Sequence, residues 1–121
     1  MIISDVSGHG VPAAFITSMI KTIILQAGQL REDPSAILMN LNGILFGKTA
    51  DNFITAFYCI YDQSNMSLLY SNAGHNPPFL LKKNEIIKIS EPRSIPLAIA
   101  HNDYLSQTEK LYTNATIHLD H

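Results

Sequence analysis

Charge is scarce in this sequence. Only 15% of its residues are Asp, Glu, Lys or Arg, against roughly 25% in an average soluble protein. Ten acidic and eight basic residues leave a formal net charge of −2, with an isoelectric point near 6.2. That balance offers no electrostatic footprint for nucleic acid or for an anionic membrane surface. Cysteine is nearly absent. The single Cys59 excludes an internal disulfide and a thiolate zinc site, and it suits the reducing cytoplasm. Long apolar runs are missing too. The most apolar stretch, 11–25, is interrupted by Thr17, Ser18, Lys21 and Thr22, and a membrane span needs about 18 uninterrupted apolar residues. The first residues, Met-Ile-Ile-Ser-Asp, lack the basic start of a signal peptide. No repeat and no low-complexity linker occurs. What is present is a 121-residue chain that is 46% hydrophobic, enough for one domain with a modest core. Disorder, collagen and coiled coil are excluded by that composition.

The order of elements follows from periodicity. Residues 1–6 read as a strand that ends at Asp5 and the turn Ser7-Gly8-His9-Gly10. Pro12 suits the first turn of a helix, where its missing N–H costs nothing. Ile16, Ile20, Ile23, Ile24 and Ala27 then mark one face of an amphipathic helix, with Gly28 as its stop. Asp33 and Pro34 open a second helix as N-cap and first residue. Its apolar face is Ile37, Leu38, Leu41, Ile44 and Leu45, and Gly47 is the C-cap candidate. Met19 and Met39 fall in these helical patterns and are expected in the core.

From Phe53 to Asp62 the residues are β-branched and aromatic, the signature of a strand. Turn chemistry at 62–65 and the alternation of Met66, Leu68 and Tyr70 with Ser67 and Ser71 predict a hairpin with a half-buried second strand. Residues 79–82 and 86–89 predict another hairpin, with Lys82 and Lys83 solvated at its end. Pro96 bars 94–97 from a central strand, and 104–119 is a weaker strand region. The expected class is α+β, an antiparallel β-sheet with two helices packed on one face. Two helices leave the other face open, which predicts membership of a larger fold or a homodimer that covers it. Cys59, in the middle of an apolar strand, reads as a small buried hydrophobe.

One motif is specific. Asp5-Val6-Ser7-Gly8-His9-Gly10 places a carboxylate at a strand end before a glycine turn. Carboxylate oxygens suit hard cations, glycines let backbone carbonyls approach them, and the following helix N-terminus favours an anion such as phosphate. Further on stands Tyr70-Ser71-Asn72-Ala73-Gly74-His75-Asn76-Pro77-Pro78. Together with the 53–62 strand and the 94–99 stretch, these blocks resemble the SpoIIE-like branch of the metal-dependent (PPM, type 2C) protein serine/threonine phosphatases. The resemblance runs over nearly the whole chain. It implies a PPM-type β-sandwich flanked by helices. It also implies a two-ion site of Mn²⁺ or Mg²⁺, with Asp5 bridging the ions and the Val6 carbonyl holding one of them. A metal-activated hydroxide would attack the phosphorus of phosphoserine or phosphothreonine. The implied substrate is a phosphorylated bacterial regulator such as an anti-sigma-factor antagonist.

Family members also carry an acidic ligand on a preceding strand and a Thr-Asp-Gly segment after the last strand. Neither occurs between Met1 and His121, and Asp120 has no Thr-Asp-Gly context. Residues 1–121 are therefore expected to be a partial phosphatase domain. Two dications about 4 Å apart repel by about 16 kcal/mol at an effective dielectric of about 20, more than one carboxylate offsets. The chain alone is expected to hold no stable two-ion centre and to be weak or inactive, and no catalytic side chain is assigned. The alternative is a non-catalytic phosphatase-like interaction module. Ser7 has no base and acid placed to make it a nucleophile. His9 and His75 each read either as turn-fixing histidines or as groups facing phosphate.

Overall fold

The computed structural model describes residues 1–7, 12–49, 52–82, 85–99, 104–110 and 116–118. Strand β1 (Ile2–Ser7) leads to helix α1 (Ala13–Leu25), a 3-10 turn (Gly28–Glu32) and helix α2 (Pro34–Leu45). Six described strands follow in turn: β2 (Phe53–Asp62), β3 (Ser67–Ala73), β4 (Phe79–Lys82), β5 (Glu85–Lys88), β6 (Gln107–Lys110) and β7 (Thr116–His118). They form two sheets, ordered β1-β2-β3-β6 and β5-β4-β7, with every described strand pair antiparallel.

Local chemistry explains the helices. Pro12 is the N-cap of α1, so the helix starts one residue beyond it. Asp33 caps α2, its carboxylate accepting from the Ala36 N–H at 3.3 Å, and Pro34 is the first helical residue. At the other end Gly47 takes φ +78°, a left-handed conformation that glycine adopts without Cβ strain. Ile16 and Ile20 of α1 meet Ile37, Leu38, Leu41 and Leu45 of α2 in one core.

Strand β2 lies between the layers, and its alternation divides the molecule. Ile54, Ala56 and Tyr58 join the helical core. Phe57 and Cys59 point the other way and pack with Leu68 and Tyr70 of β3, Leu80 of β4 and Ile89. The Phe57 and Tyr70 rings stack with centroids 5.6 Å apart. The result is a β-sandwich with helices on one outer face.

Several expectations change. The sheet face expected to lie open is covered by β4 and β5 of the second sheet, so the apolar character of β2 needs no second copy of the chain. Strand β3 is buried on both sides rather than half-buried, with Ser67 and Ser71 both inside. The cause is position: β3 runs between β2 and β6, with helices on one face and a sheet on the other. Met39 is 42% exposed because it sits on the solvent side of α2. Met19 packs at the edge of the core as expected. Cys59 is buried, and burial raises its thiol pKa, which fits an inert packing role. The 94–97 stretch makes only isolated bridges, Ser94 to Ala73 and Leu97 to Ile54, as Pro96 requires. Among the described residues no helix is long and apolar enough to cross a membrane.

Candidate functional site

Asp5 is the next-to-next-to-last residue of β1, and it is exposed. Its backbone partner in the β1–β2 ladder is Thr55. Directly opposed residues of an antiparallel pair project to the same face. Ile3 and Phe57 are the next pair on that face, and both belong to the core between the two sheets. Asp5 and Thr55 therefore stand at the solvent end of the sandwich interior, one step beyond its apolar filling. Val6 points the opposite way and packs at the edge of the helical core. Its place beside Asp5 leaves only its backbone carbonyl as a ligand candidate.

His75 closes this end of the sandwich. Its Nδ1 lies 3.1 Å from the Thr55 hydroxyl oxygen, and only 2% of the residue is exposed. The backbone around it is pinned twice by Asn72. The His75 N–H donates to Asn72 Oδ1 at 2.7 Å, and Asn72 Nδ2 donates to the His75 carbonyl at 3.0 Å. Asn72 itself is buried, and its carbonyl accepts from the Ser94 N–H at 2.9 Å.

Gly74 makes the bend possible. It has φ +68°, and a Cβ there would fall 2.6 Å from Pro96 Cγ. Only glycine meets both conditions at once. The guanidinium of Arg93 donates to the Gly74 carbonyl at 3.2 Å. The Ala-Gly-His block thus folds as a braced corner that carries His75 to Thr55, which is the turn-fixing role open to this histidine in the sequence.

The remaining site predictions divide. Ser7 ends β1, and Gly8, His9 and Gly10 of the motif lie outside the described residues, as does Asp120. Helix α1 begins just after the motif, with no acidic residue in its first turn, a setting that favours anions over cations at its N-terminus. Among the described residues no group of three or more His, Cys, Asp or Glu side chains converges. The donors that are described at this end, the Asp5 carboxylate and the backbone carbonyl of Val6, are oxygens. Such a set fits a hard cation such as Mn²⁺ or Mg²⁺ and not a soft one. Thr55 was not singled out by sequence, because a threonine within a β-branched strand carries no functional signal of its own.

Comparison with known proteins gives a consistent result. The sequence model of Stage II sporulation protein E (SpoIIE) matches residues 1–119. The phosphoserine phosphatase RsbU of Bacillus subtilis (strain 168) is 35% identical over 105 residues, covering 84% of this chain and 31% of RsbU. The chain thus spans about a third of the length of that curated relative. The RsbU and RsbW domains of Rv1364c from Mycobacterium tuberculosis superpose with a TM-score of 0.76 at 21% identity, over 96% of this chain and 33% of that one. The SiaA-PP2C domain of Pseudomonas aeruginosa gives 0.75 at 22% identity, over 96% and 47%. The PP2C phosphatase domain of SpoIIE from Bacillus subtilis, solved with a fragment of its regulatory domain, gives 0.71 at 24% identity, over 94% and 34%. These structures share the sandwich and its flanking helices.

Proposed function

The chain belongs to the Stage II sporulation protein E (SpoIIE) family, and on that premise we propose that it is part of a metal-dependent protein serine/threonine phosphatase. Its place in such an enzyme is one carboxylate of the metal centre. The observation that carries this reading is the position of Asp5, exposed at the mouth of the sandwich and opposite Thr55. The Asp5 carboxylate and the Val6 carbonyl would hold the ion, Mn²⁺ or Mg²⁺. A divalent cation bound there supplies charge neutralisation at phosphoryl oxygens and lowers the pKa of water. The chain's own work is to fix that carboxylate on a rigid strand and to keep the apolar interior behind it dry. The substrate class is a phosphoserine or phosphothreonine protein, in keeping with the phosphoserine phosphatase RsbU. A phosphorylated regulator such as an anti-sigma-factor antagonist is the substrate we favour.

Residues 1–121 are proposed to be a partial catalytic domain that is weak or inactive by itself. The support is electrostatic: among the described residues one carboxylate stands at this end, and it offsets too little of the repulsion between two dications to hold both. Calorimetric titration of the 121-residue chain with Mn²⁺ is expected to show one weak site, removed by Asp5→Asn, and no turnover of a phosphoserine peptide. Two tight sites with turnover would overturn the inactive-alone reading. Mn²⁺ binding that survives Asp5→Asn would overturn the assignment of the ligand, and no Mn²⁺ binding at all would favour the alternative of a non-catalytic phosphatase-like interaction module.

A further inference from the structure

The cross-strand pair of Asp5 and Thr55 has a third neighbour in His75, whose ring meets the Thr55 hydroxyl. Thr55 uses its hydroxyl on one partner, His75 Nδ1, at 3.1 Å. That contact can run in two directions, depending on which ring nitrogen carries the proton. If the threonine donates to Nδ1, it has only lone pairs to offer a carboxylate turned toward it, and two acceptors would meet. If Nδ1–H donates, the hydroxyl proton is free to turn toward Asp5, and the neighbour becomes a donor. Opposed residues in a ladder have Cβ atoms about 4.5–5.5 Å apart, so a χ1 step of the Asp5 side chain brings its carboxylate within reach of the Thr55 hydroxyl while Thr55 stays on His75. The second arrangement is the electrostatically matched one.

We propose that Thr55 and His75 are positioning residues for Asp5. The His75 ring, protonated on Nδ1, donates to Thr55, and the Thr55 hydroxyl donates to the Asp5 carboxylate. This holds one carboxylate oxygen and leaves the other to a metal ion. Buried supports of this kind orient metal ligands and set affinity. The rigidity is in place, since His75 is buried and its backbone is clasped on both sides by Asn72. The inference rests on the reading of Asp5 as a metal ligand, but it makes a claim about the chain without metal as well.

Two measurements on the full chain test it. Long-range ¹H–¹⁵N spectra of the histidine rings report the protonated nitrogen directly. His75 is expected in the Nδ1–H form, and an Nε2–H ring would overturn the proposal whatever the metal does. Mn²⁺ affinity, followed by electron paramagnetic resonance, is the second. Thr55→Val keeps the shape of the side chain and removes its hydroxyl, and is expected to weaken binding at least tenfold. Thr55→Ser restores the hydroxyl and is expected to recover most of that loss. Equal affinity in the valine variant and the parent would overturn the positioning role. If the parent chain binds no Mn²⁺, or binds it equally well as Asp5→Asn, the metal reading fails, and the tautomer still decides whether the His75-to-Thr55 order is right.

Discussion

At the scale of single residues, polar groups inside the sandwich do unequal work. Asn72 uses both ends of its amide to hold the His75 corner. Tyr58 donates to the Arg31 carbonyl at 2.7 Å and so ties β2 to the 3-10 turn. Ser71 is different. It is fully buried, and its hydroxyl has no hydrogen-bond partner among the described residues. A buried hydroxyl left unpaired costs about 1–3 kcal/mol of desolvation. Ser71→Ala removes that group with almost no change in volume. The variant is expected to be more stable by about 1 kcal/mol, read as a higher midpoint in urea with an unchanged slope. A loss of stability would show that the hydroxyl has a partner after all.

At the scale of elements, the signals that sequence carries are local. Asp33 is the example with the clearest energy. Its carboxylate accepts from the Ala36 N–H, from Ser35 Oγ at 2.9 Å and, at 3.5 Å, from Ser106 Oγ. The last of these comes from far along the chain, while the Ser35 N–H donates to the same Ser106 hydroxyl at 2.9 Å. Asp33→Ala is therefore expected to cost about 1 kcal/mol as a lost cap. It should also loosen the segment at Ser106, seen as faster amide exchange there. Asp33-Pro34 was legible because a cap and a first-turn proline act on their own neighbours, and β2 was legible, bounds included, because its composition is uniform. Strand β3 was read with the wrong burial because Ser67 and Ser71 look polar in sequence, and only their place between two strands and two layers buries them. The short β6 and β7 were visible only as a weak strand region, since each is defined by distant partners in β3 and β4. The site divides the same way. The motif pointed to Asp5, whereas Thr55 and its link to His75, twenty residues apart, exist only once the corner at Gly74 has formed.

At the scale of the molecule, β1-β2-β3-β6 separates two cores, and burial raises the phenol pKa in both, at Tyr70 in the sheet core and at Tyr58 and Tyr104 in the helix core. Tyr70 lies between the sheets and donates to the Glu91 carbonyl at 2.8 Å. Tyr104 lies with the helices and donates to the Pro96 carbonyl at 3.3 Å. Burial pushes the pKa of Tyr70 and of Tyr104 up to about 12, and Glu109 and Glu91 add to the effect at Tyr70. An unfolded tyrosine titrates near 10. Below about pH 10 both states hold the proton and these groups give no pH dependence. Between about pH 10 and 12 the unfolded chain releases protons that the folded chain keeps, so stability falls as pH rises through that window. The urea midpoint is therefore expected to be insensitive to these phenols up to about pH 9 and to drop steeply above about pH 10. Tyr70→Phe and Tyr104→Phe each lose a hydrogen bond worth about 1 kcal/mol at neutral pH, yet each should make the alkaline fall shallower. The two effects have opposite sign, so a series of midpoints across pH separates them. Because Tyr70 sits in the sheet core and Tyr104 in the helix core, equal flattening by the two variants would mean that the two cores come apart together. Variants that fall as steeply as the parent would show that neither phenol is held back by its surroundings.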